Sequence, residues 1–523
     1  MKRDGKDTNY FLNGQHKSYF FLFNFSSVCV CFGKNYVSLQ AGMKYLFTLI
    51  SLMATLMAVA CSDGKGCRCE AEGLMQVPDE GYVMLEDGHF TVDGEVWFPK
   101  MMNYKAGMRE VDGRLEVVPA DFYTGHSVRE HFDTIASWGF DAVRICLNAV
   151  EPREDTSAMF AAMRRVVMQA DSAGLRVMLL LPPPFKGYWR DYDAGLMRCL
   201  SDLPALWAYD LMNEPLYFDP KPKRSKREAV REVCRWRAIV RSNAPHQLFT
   251  IGLSEPIEVF RWDPSLLPVD FVEIHTYHPL RVQAEMWWYS HHCGKPWMVG
   301  ETSLPADGDS VSYSSQVWFM FETYRYAKIH GAIGYGWWGF QDCPNWGNFE
   351  ARYTGLRDSA GRSKPASELF KHWFCLGVRL DEDYMLPANY YNMLAYNNLA
   401  VTGCIVDENG QRLKGAVIRG WNNDWSVGVN TFSDTTGSFR LVSNDVCTHF
   451  EVSAPGCSTI KFDHKPKYPQ GLPLPERERE YHSIPILGWG YSLSVLPWPG
   501  DSRFEASGAV RYDMGTLKLK RLQ

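Results

Sequence analysis

From about residue 81 the chain alternates short apolar runs with longer segments in which apolar positions recur every three or four residues. Strands covered on both faces read as short, continuous apolar runs, and the helices that cover them read as amphipathic stripes. The alternation therefore predicts parallel strands joined by crossover helices. Eight runs qualify: Val96 to Asn103, Ala142 to Leu147, Arg176 to Leu181, Leu206 to Met212, Leu248 to Leu253, Phe271 to Thr276, Trp297 to Gly300 and Ile333 to Trp338. Eight strand-and-helix units close a parallel sheet on itself, so the expected fold class is α/β, a (β/α)₈ TIM barrel. The stretches Val128 to Trp138, Ser157 to Ala173, Arg227 to Ser242 and Ser314 to His330 are the clearest predicted helices, and Gly139, Gly174 and Gly331 stand where helices end.

Past residue 399 the pattern changes to short alternating runs broken by turn residues, among them Gly403-Cys-Ile-Val-Asp407, Asn409-Gly410, Gly415-Ala-Val417 and Ser433-Asp-Thr-Thr-Gly437. Such spacing predicts an all-β sandwich. The expected organisation is a barrel over 81–376, a linker over 377–399 and a β-sandwich over 400–523.

The amino-terminal segment reads differently. Residues 1–42 have neither a helical nor an alternating period and are taken as an upstream, non-native leader. Met43-Lys44 then opens the apolar run Tyr45 to Ala60, which is shorter than a membrane span needs and ends in Ala58-Val59-Ala60-Cys61. This resembles a bacterial lipoprotein signal over 43–61, which implies lipidation at Cys61 and a flexible tether over 62–80. The expected location is the cell envelope, anchored to the outer membrane and facing the periplasm or the surface. An ordinary secretory signal is the alternative.

At 46% hydrophobic and 22% charged residues the composition is that of a globular protein, and a formal net charge of −5 provides no field that would recruit nucleic acid. Membrane contact is expected only through the anchor. The 14 cysteines show no paired C-x-x-C spacing, so neither a metal site nor a disulfide framework is expected, and Cys146, Cys199, Cys234 and Cys375 read as buried thiols. The 18 tryptophans serve a core or stack against sugar rings equally well.

In a barrel of this kind chemistry gathers where the strands end. The polar residues closing the apolar runs are Asn103, Arg144 within its strand, Asn213 with Glu214, Glu255, His275 with Tyr277, Glu301, and Trp337 or Trp338. The segments Trp207-Ala-Tyr-Asp-Leu-Met-Asn-Glu-Pro215 and Lys295-Pro-Trp-Met-Val-Gly-Glu301 resemble the two signatures of glycoside hydrolase family 5, within its clan A. Gly139-Phe-Asp-Ala-Val-Arg144 is similar to the family's second-strand arginine motif, His275-Thr-Tyr277 to its sixth-strand pair, and Gly334-Tyr-Gly-Trp337-Trp338 to its eighth-strand tryptophan. The resemblance covers about residues 81 to 376.

It implies a retaining glycosidase with Glu214 as general acid/base and Glu301 as nucleophile. A retaining pair lies only about 5 Å apart, because one carboxyl protonates the leaving oxygen while the other attacks the anomeric carbon directly. Arg144, Asn213, His275, Tyr277, Trp337 and Trp338 would bind substrate or orient the carboxylates, with Asn213 on the sugar 2-hydroxyl and Tyr277 on Glu301. The implied activity is double-displacement hydrolysis of a β-mannan or β-glucan type polysaccharide or oligosaccharide by a monomer that needs no cofactor. The alternative from another class is a non-catalytic glycan-binding surface lipoprotein that keeps the barrel. Glu255, in Ser254-Glu-Pro256, reads as a helix entrance or outer-subsite residue, and Glu273 as a salt-bridge group two residues below His275. One departure stands out: where the family carries a histidine after the third strand, Leu181 runs into Pro182-Pro-Pro184.

The C-terminal segment resembles the carboxypeptidase regulatory-like fold, on its glycine-led strand at Gly403, its Asn409-Gly410 turn and Ser433-Asp-Thr-Thr-Gly437-Ser-Phe439, with Gly515-Thr-Leu-Lys-Leu519 as last strand and 465–501 as an insertion. Its expected role is packing or spacing, with a sugar-binding face on Trp421, Trp425 or Trp489 as the alternative.

Overall fold

The structure, a computed structural model, describes residues 80–373, 399–468 and 510–522, apart from breaks at 126, 148–155, 183–186, 222, 278–281, 310, 346–351, 426–427 and 444–445. The leader, the signal segment with Cys61, the linker, Cys375 and Trp489 lie outside the described residues.

The first elements are three short antiparallel strands, β1 (Val83–Glu86), β2 (His89–Val92) and β3 (Glu95–Trp97). Their turns, Asp87-Gly88 and Asp93-Gly94, have positive φ at both positions (48° and 77°, 51° and 82°), the backbone that two-residue hairpin loops require. This small sheet packs across the amino ends of the barrel strands: Val83 and Phe90 join Met101, Trp207, Phe271, Met298 and Ile333 in one apolar cluster, with Phe90 5.0 Å from Trp207 and 4.9 Å from Phe271 between ring centres. The barrel is thereby plugged at its lower end.

Eight parallel strands follow: β4 (Lys100–Val111), then, after the hairpin partner β5 (Arg114–Pro119), β6 (Ala142–Leu147), β7 (Arg176–Leu180), β8 (Leu206–Asn213), β9 (Leu248–Leu253), β10 (Val272–His275), β11 (Trp297–Glu301) and β12 (Tyr335–Trp338). They pair in chain order, and β12 returns to β4 with Trp338 opposite Asn103, closing the barrel. Seven of the eight expected strands coincide with these within two residues at each end. The first does not: the strand expected at Val96 begins at Lys100, and it continues into a hairpin turned at Asp112-Gly113 (φ 50° and 76°).

The helices are α1 (Val128–Ser137), α2 (Thr156–Ser172), α3 (Gly187–Leu200), the single turn α4 (Pro215–Phe218), α5 (Lys226–Asn243), α6 (Val282–His292), α7 (Tyr313–Ile329) and α8 (Pro365–Trp373). The four predicted helices are α1, α2, α5 and α7. Helix α6 carries no polar stripe to betray it, because Val282, Gln283, Ala284, Glu285, Met286, Trp288 and Tyr289 are all buried. The reason is the second domain, which covers the helix's outer side: Trp288 Nε1 donates to the carbonyl of Gly415 at 2.9 Å. No helix among the described residues is long and apolar enough to cross a membrane.

The C-terminal strands β13 (Leu399–Asp407), β14 (Val417–Trp421), β15 (Gly428–Phe432), β16 (Ser438–Ser443), β17 (His449–Ser453), β18 (Ile460–Asp463) and β19 (Val510–Leu519) form two sheets, ordered β16-β13-β19 and β15-β14-β17-β18. All pairings are antiparallel except β13 with β19. Val401, Ile405, Ile418, Phe439, Leu441 and Phe450 fill the space between them. This sandwich is seated on the segment that follows β9. Ser453 Oγ and Thr459 Oγ1 donate to the carbonyls of Val259 (3.2 Å) and Phe260 (2.6 Å). Buried Lys226 bonds both Asp263 (2.8 Å) and the carbonyl of Ala454 (2.9 Å). A spacer would not need a buried ion pair at its seat, so the domain packs as part of the body.

No disulfide joins two of the described cysteines; Cys146 is buried as expected, whereas Cys199 and Cys234 are only partly covered.

Candidate active site

Strand register lines up the polar residues at the carboxyl mouth. Trp338, Asn103 and Arg144 are direct neighbours on β12, β4 and β6, and His275 of β10 faces Glu301 of β11. Because alternate residues of a barrel strand point inward, the side chains of Asn103, Arg144, Glu273, His275, Glu301 and Trp338 share the interior. His275 needs space on its other flank, and β9 leaves it: a Cβ on Gly252 would lie 2.8 Å from His275 Nε2.

Arg144 organises the floor. Its fully buried guanidinium bonds Glu301 Oε1 (2.6 Å), Asp210 Oδ2 (3.0 Å from Nε and 2.5 Å from Nη2), Asn103 Oδ1 (2.9 Å) and Asn213 Oδ1 (3.1 Å). Asn103 is fixed in turn by donating to the carbonyls of Gly300 (2.9 Å) and Trp337 (3.1 Å). Burial alone would disfavour a charge here, but the surrounding anionic groups hold the guanidinium's pKa well above its ordinary value.

Glu301 is buried, and burial works to raise its pKa. The charges of His275 and Arg144, with hydrogen bonds from Tyr277 and Arg144, outweigh that effect and hold the carboxyl below the usual range. Tyr277 donates its hydroxyl to Glu301 Oε2. Burial, then the charges of Glu301 and Glu214, push the phenol well above its ordinary pKa, so it remains a donor.

Glu214 follows β8 in the left-handed region, φ 42° and ψ 71°, and Pro215 begins α4 immediately after it. A proline excludes the α conformation for the residue before it, and a non-glycine residue at positive φ costs of order 1–3 kcal/mol, so the turn must be held from outside. It is held on both sides: Glu214 N–H donates to the carbonyl of Gly252 (2.9 Å), and the first turn of α4 gives the Leu216 N–H to Glu258 Oε1 (2.9 Å). The Glu214 side chain, 16% exposed, then reaches His275 Nδ1 at 2.9 Å from its Oε1. The same nitrogen is 3.5 Å from Glu301 Oε2. His275 therefore bridges the two carboxylates. Burial lowers its pKa, but the charge of Glu301 and the hydrogen bond that Nδ1 donates to Glu214 more than reverse this, leaving it raised.

One oxygen of Glu214, one of Glu301 and a ring nitrogen of His275 all lie within 4.8 Å of one another. That spacing would also admit a divalent cation. The Arg144 guanidinium, 2.6 Å from the Glu301 carboxylate, already neutralises the charge that such an ion would need.

Beside Asn213 and Trp338 lies a cavity of about 330 Å³, whose wall also includes Lys105, Cys146, Leu181 and Trp189; neither Glu214 nor Glu301 lines it. Leu181 and Pro182, which follow the third barrel strand, contribute apolar wall to this cavity.

Of the residues singled out from the sequence, Arg144, Asn213, Glu214, His275, Tyr277 and Glu301 are brought together in one bonded cluster, and Trp338 lies at its edge. Trp337 is a correction. It is fully buried, packs on Phe319 of α7 and donates its Nε1 to the carbonyl of Thr354 (3.2 Å), because the alternation of β12 sends positions 335 and 337 outward to the helix and 336 and 338 inward. Glu255 precedes the short 3₁₀ turn Pro256–Phe260, the helix-entrance reading. Glu273 is fully buried 3.9 Å from Arg144, and burial pushes its carboxyl up to about 8. In the second domain Trp421 is buried beneath Trp425, with ring centres 5.1 Å apart, and Trp425 remains 53% exposed.

Sequence reading missed three residues. Asp210 is a charged residue inside the otherwise apolar run of β8, which is the signal that could have marked it. Glu258 and Lys105 carried no such signal, since each lies in a mixed segment.

No family model matches the chain, and no curated protein matches it. Solved structures with a similar backbone include the exo-β-1,4-mannosidase Op5Man5 from Opitutaceae bacterium strain TAV5, at 18% identity over 56% of this chain and 62% of that one, with a TM-score of 0.44. A GH5_18 protein from Bifidobacterium longum subsp. infantis shares 19% over 55% of this chain and 79% of its own (TM-score 0.41), and a β-glucuronidase from an uncultured Clostridium sp. 15% over 56% and 53% (TM-score 0.41). The matched region thus spans less than two thirds of the mannosidase and about half of the glucuronidase.

Proposed function

We propose that this protein is a retaining glycoside hydrolase acting on β-linked glycans by double displacement. The observation that carries the reading is the approach of Glu214 and Glu301 to within 4.8 Å, the separation that leaves no room for a water between carboxylate and sugar. Glu301, ionised and aimed by Arg144 and Tyr277, attacks the anomeric carbon. Protonated Glu214 delivers its proton to the leaving oxygen. A glycosyl ester on Glu301 results, and Glu214, now a carboxylate, takes a proton from the water that releases the sugar from it. Asn213, pinned by Arg144 through its Oδ1, offers its amide to the 2-hydroxyl, a contact that tightens as the ring approaches the oxocarbenium-like state. His275 holds the two carboxyls in register rather than touching the sugar ring. Substrates of β-mannan or β-glucan type are the reading the motifs favour.

The signal-like run ending at Cys61 supports anchorage to the outer membrane, and the motifs from Gly403 to Phe439 support a carboxypeptidase regulatory-like identity for the sandwich. Lipid labelling of Cys61→Ala against wild type tests the anchor. The activity is tested by reducing-sugar release from mannan, glucan, xylan and their oligosaccharides. Wild type should release sugar with retained configuration and Glu301→Gln should not. Equal release by both, or inverted product, overturns the reading.

A further inference from the structure

Among the described residues, Lys105 is the only charged one that lines the 330 Å³ cavity, which meets the bonded cluster at Asn213 and Trp338; Leu147, Leu179, Leu181, Pro182, Trp189 and Met212 make much of the remainder apolar. It stands on β4 two residues beyond Asn103, so the strand's alternation puts both side chains on the inner face, with Lys105 nearer the mouth. Its Nζ lies 5.2 Å from the centre of the Trp338 ring, a cation held over an aromatic face at the cavity wall. Burial, ahead of every other influence, lowers its pKa, so the ammonium is kept where it is poorly hydrated.

The nucleophile does not need this cation. Both oxygens of Glu301 are already engaged, Oε1 by Arg144 at 2.6 Å and Oε2 by Tyr277, with His275 at 3.5 Å. The cavity is also the one that receives the sugar under attack rather than its leaving group, because Asn213, the partner of the 2-hydroxyl, forms part of its wall. A positive charge set into an apolar wall beside an indole platform is suited to one kind of sugar: a ring whose apolar face lies on Trp338 and whose rim carries a negative charge.

We propose that Lys105 determines specificity by pairing with a carboxylate on the sugar in this cavity, so that the enzyme removes or cleaves after a β-linked uronosyl unit. The inference rests on the hydrolase reading above and deepens it, from gluco- or manno-configured units in general to their acidic forms. The carboxylate gains a partner in a site where water is sparse, which makes the pair stronger than the same contact at an open surface.

The test compares kcat/KM for 4-nitrophenyl β-D-glucuronide and β-D-mannuronide with that for the corresponding β-D-glucoside and β-D-mannoside, at fixed pH and ionic strength, in wild type, Lys105→Gln and Lys105→Arg. Wild type should favour a uronide by at least about tenfold, Lys105→Gln should lower the uronide-to-hexoside ratio by about ten- to a hundredfold, and Lys105→Arg should restore part of it, as expected when one charge-assisted hydrogen bond is lost and replaced. A wild type that favours the neutral hexosides overturns the inference while leaving the hydrolase reading intact. So does a Lys105→Gln variant that slows both substrates alike, since Lys105 would then act only on Glu301. Better turnover of a glucoside 6-sulfate than of the uronide overturns the assignment to a carboxylate. Turnover of none of these glycosides by a wild type that releases sugar from the polysaccharide panel overturns the inference, and release from no substrate of either set overturns the hydrolase reading itself. Should Lys105→Gln fail to fold, judged by its thermal melt, the wild-type ratio and the Lys105→Arg ratio decide.

Discussion

On the proposed mechanism, replacing Glu258 should abolish hydrolysis without touching any group that would meet the sugar. Its carboxyl, 1% exposed, accepts through one oxygen from the Leu216 N–H (2.9 Å), the Ser254 hydroxyl (3.1 Å) and the Ser254 N–H (3.4 Å). The Leu216 bond fixes the first turn of α4 and with it the left-handed turn at Glu214. Glu258→Ala leaves these buried donors without acceptors at about 1–3 kcal/mol each, less what the rotating Ser254 hydroxyl recovers, so a loss of roughly 2–4 kcal/mol in unfolding free energy is expected. Relaxation of the Glu214 turn by about an ångström would cost activity on the order of a hundredfold in kcat. Glu258→Gln keeps an acceptor of the same shape, mimics the protonated carboxyl, and should stay within about 1 kcal/mol of wild type near pH ~5.

The glutamine variant also has a pH signature. Burial pushes the Glu258 carboxyl up to about 8, against an unfolded value near 4.3. A raised pKa means that its contribution is fully present below the unfolded value and is lost as pH rises through about 8, so wild type should lose stability relative to Glu258→Gln across that interval. Urea unfolding from pH 5 to 9, with kcat on a chromogenic glycoside at each pH, measures both effects. Equal damage from Ala and Gln, or an Ala variant within twofold of wild-type kcat, refutes the role assigned to Glu258.

Further outcomes follow from the same network. Tyr277→Phe removes a hydrogen bond that helps hold Glu301 below the ordinary carboxylate range, so the acid limb of the kcat/KM profile should move to higher pH; an unmoved limb contradicts that cause. Asp210→Ala takes away a fully buried partner of Arg144 and should lower unfolding free energy by roughly 3–5 kcal/mol, read as a fall in denaturation midpoint at unchanged m-value. Lys226→Ala strands buried Asp263 at the seat of the sandwich, with a similar expected cost of about 3–5 kcal/mol and loss of activity only through unfolding, so kcat per folded molecule should be preserved.

The barrel was legible because its strands are covered on both faces and so read as unbroken apolar runs, and the paired carboxylates at its mouth because Glu214 and Glu301 end such runs with a charge. What escaped notice has particular causes. The plug β1 to β3 is short and half-exposed, and only its Asp-Gly turns marked it. Helix α6 lost its stripe to the domain lying over it. The choice between Trp337 and Trp338 turned on the alternation of a four-residue strand, which cannot be phased from sequence when both positions hold the same residue. Arg144 was expected near Glu301, but its sharing among four partners depends on three strands meeting in register. Lys105 and Glu258 act through position alone, and nothing in their neighbours' identities announces it.

The seating of the sandwich on the segment after β9 bears on how such a protein is inherited and engineered. A domain hung on a loose spacer can be traded between genes without disturbing its neighbour. Here the carbonyls of Val259 and Phe260, one and two residues after Glu258, are bound by Ser453 and Thr459 of the sandwich. A gene cut at the linker would deprive the barrel of the brace behind the Glu214 turn, and would bare Trp288 together with the pocket that Val417 and Phe432 fill. The two halves should therefore travel as one heritable block, and a transplanted sandwich should serve only if it brings its own equivalents of Ser453 and Thr459.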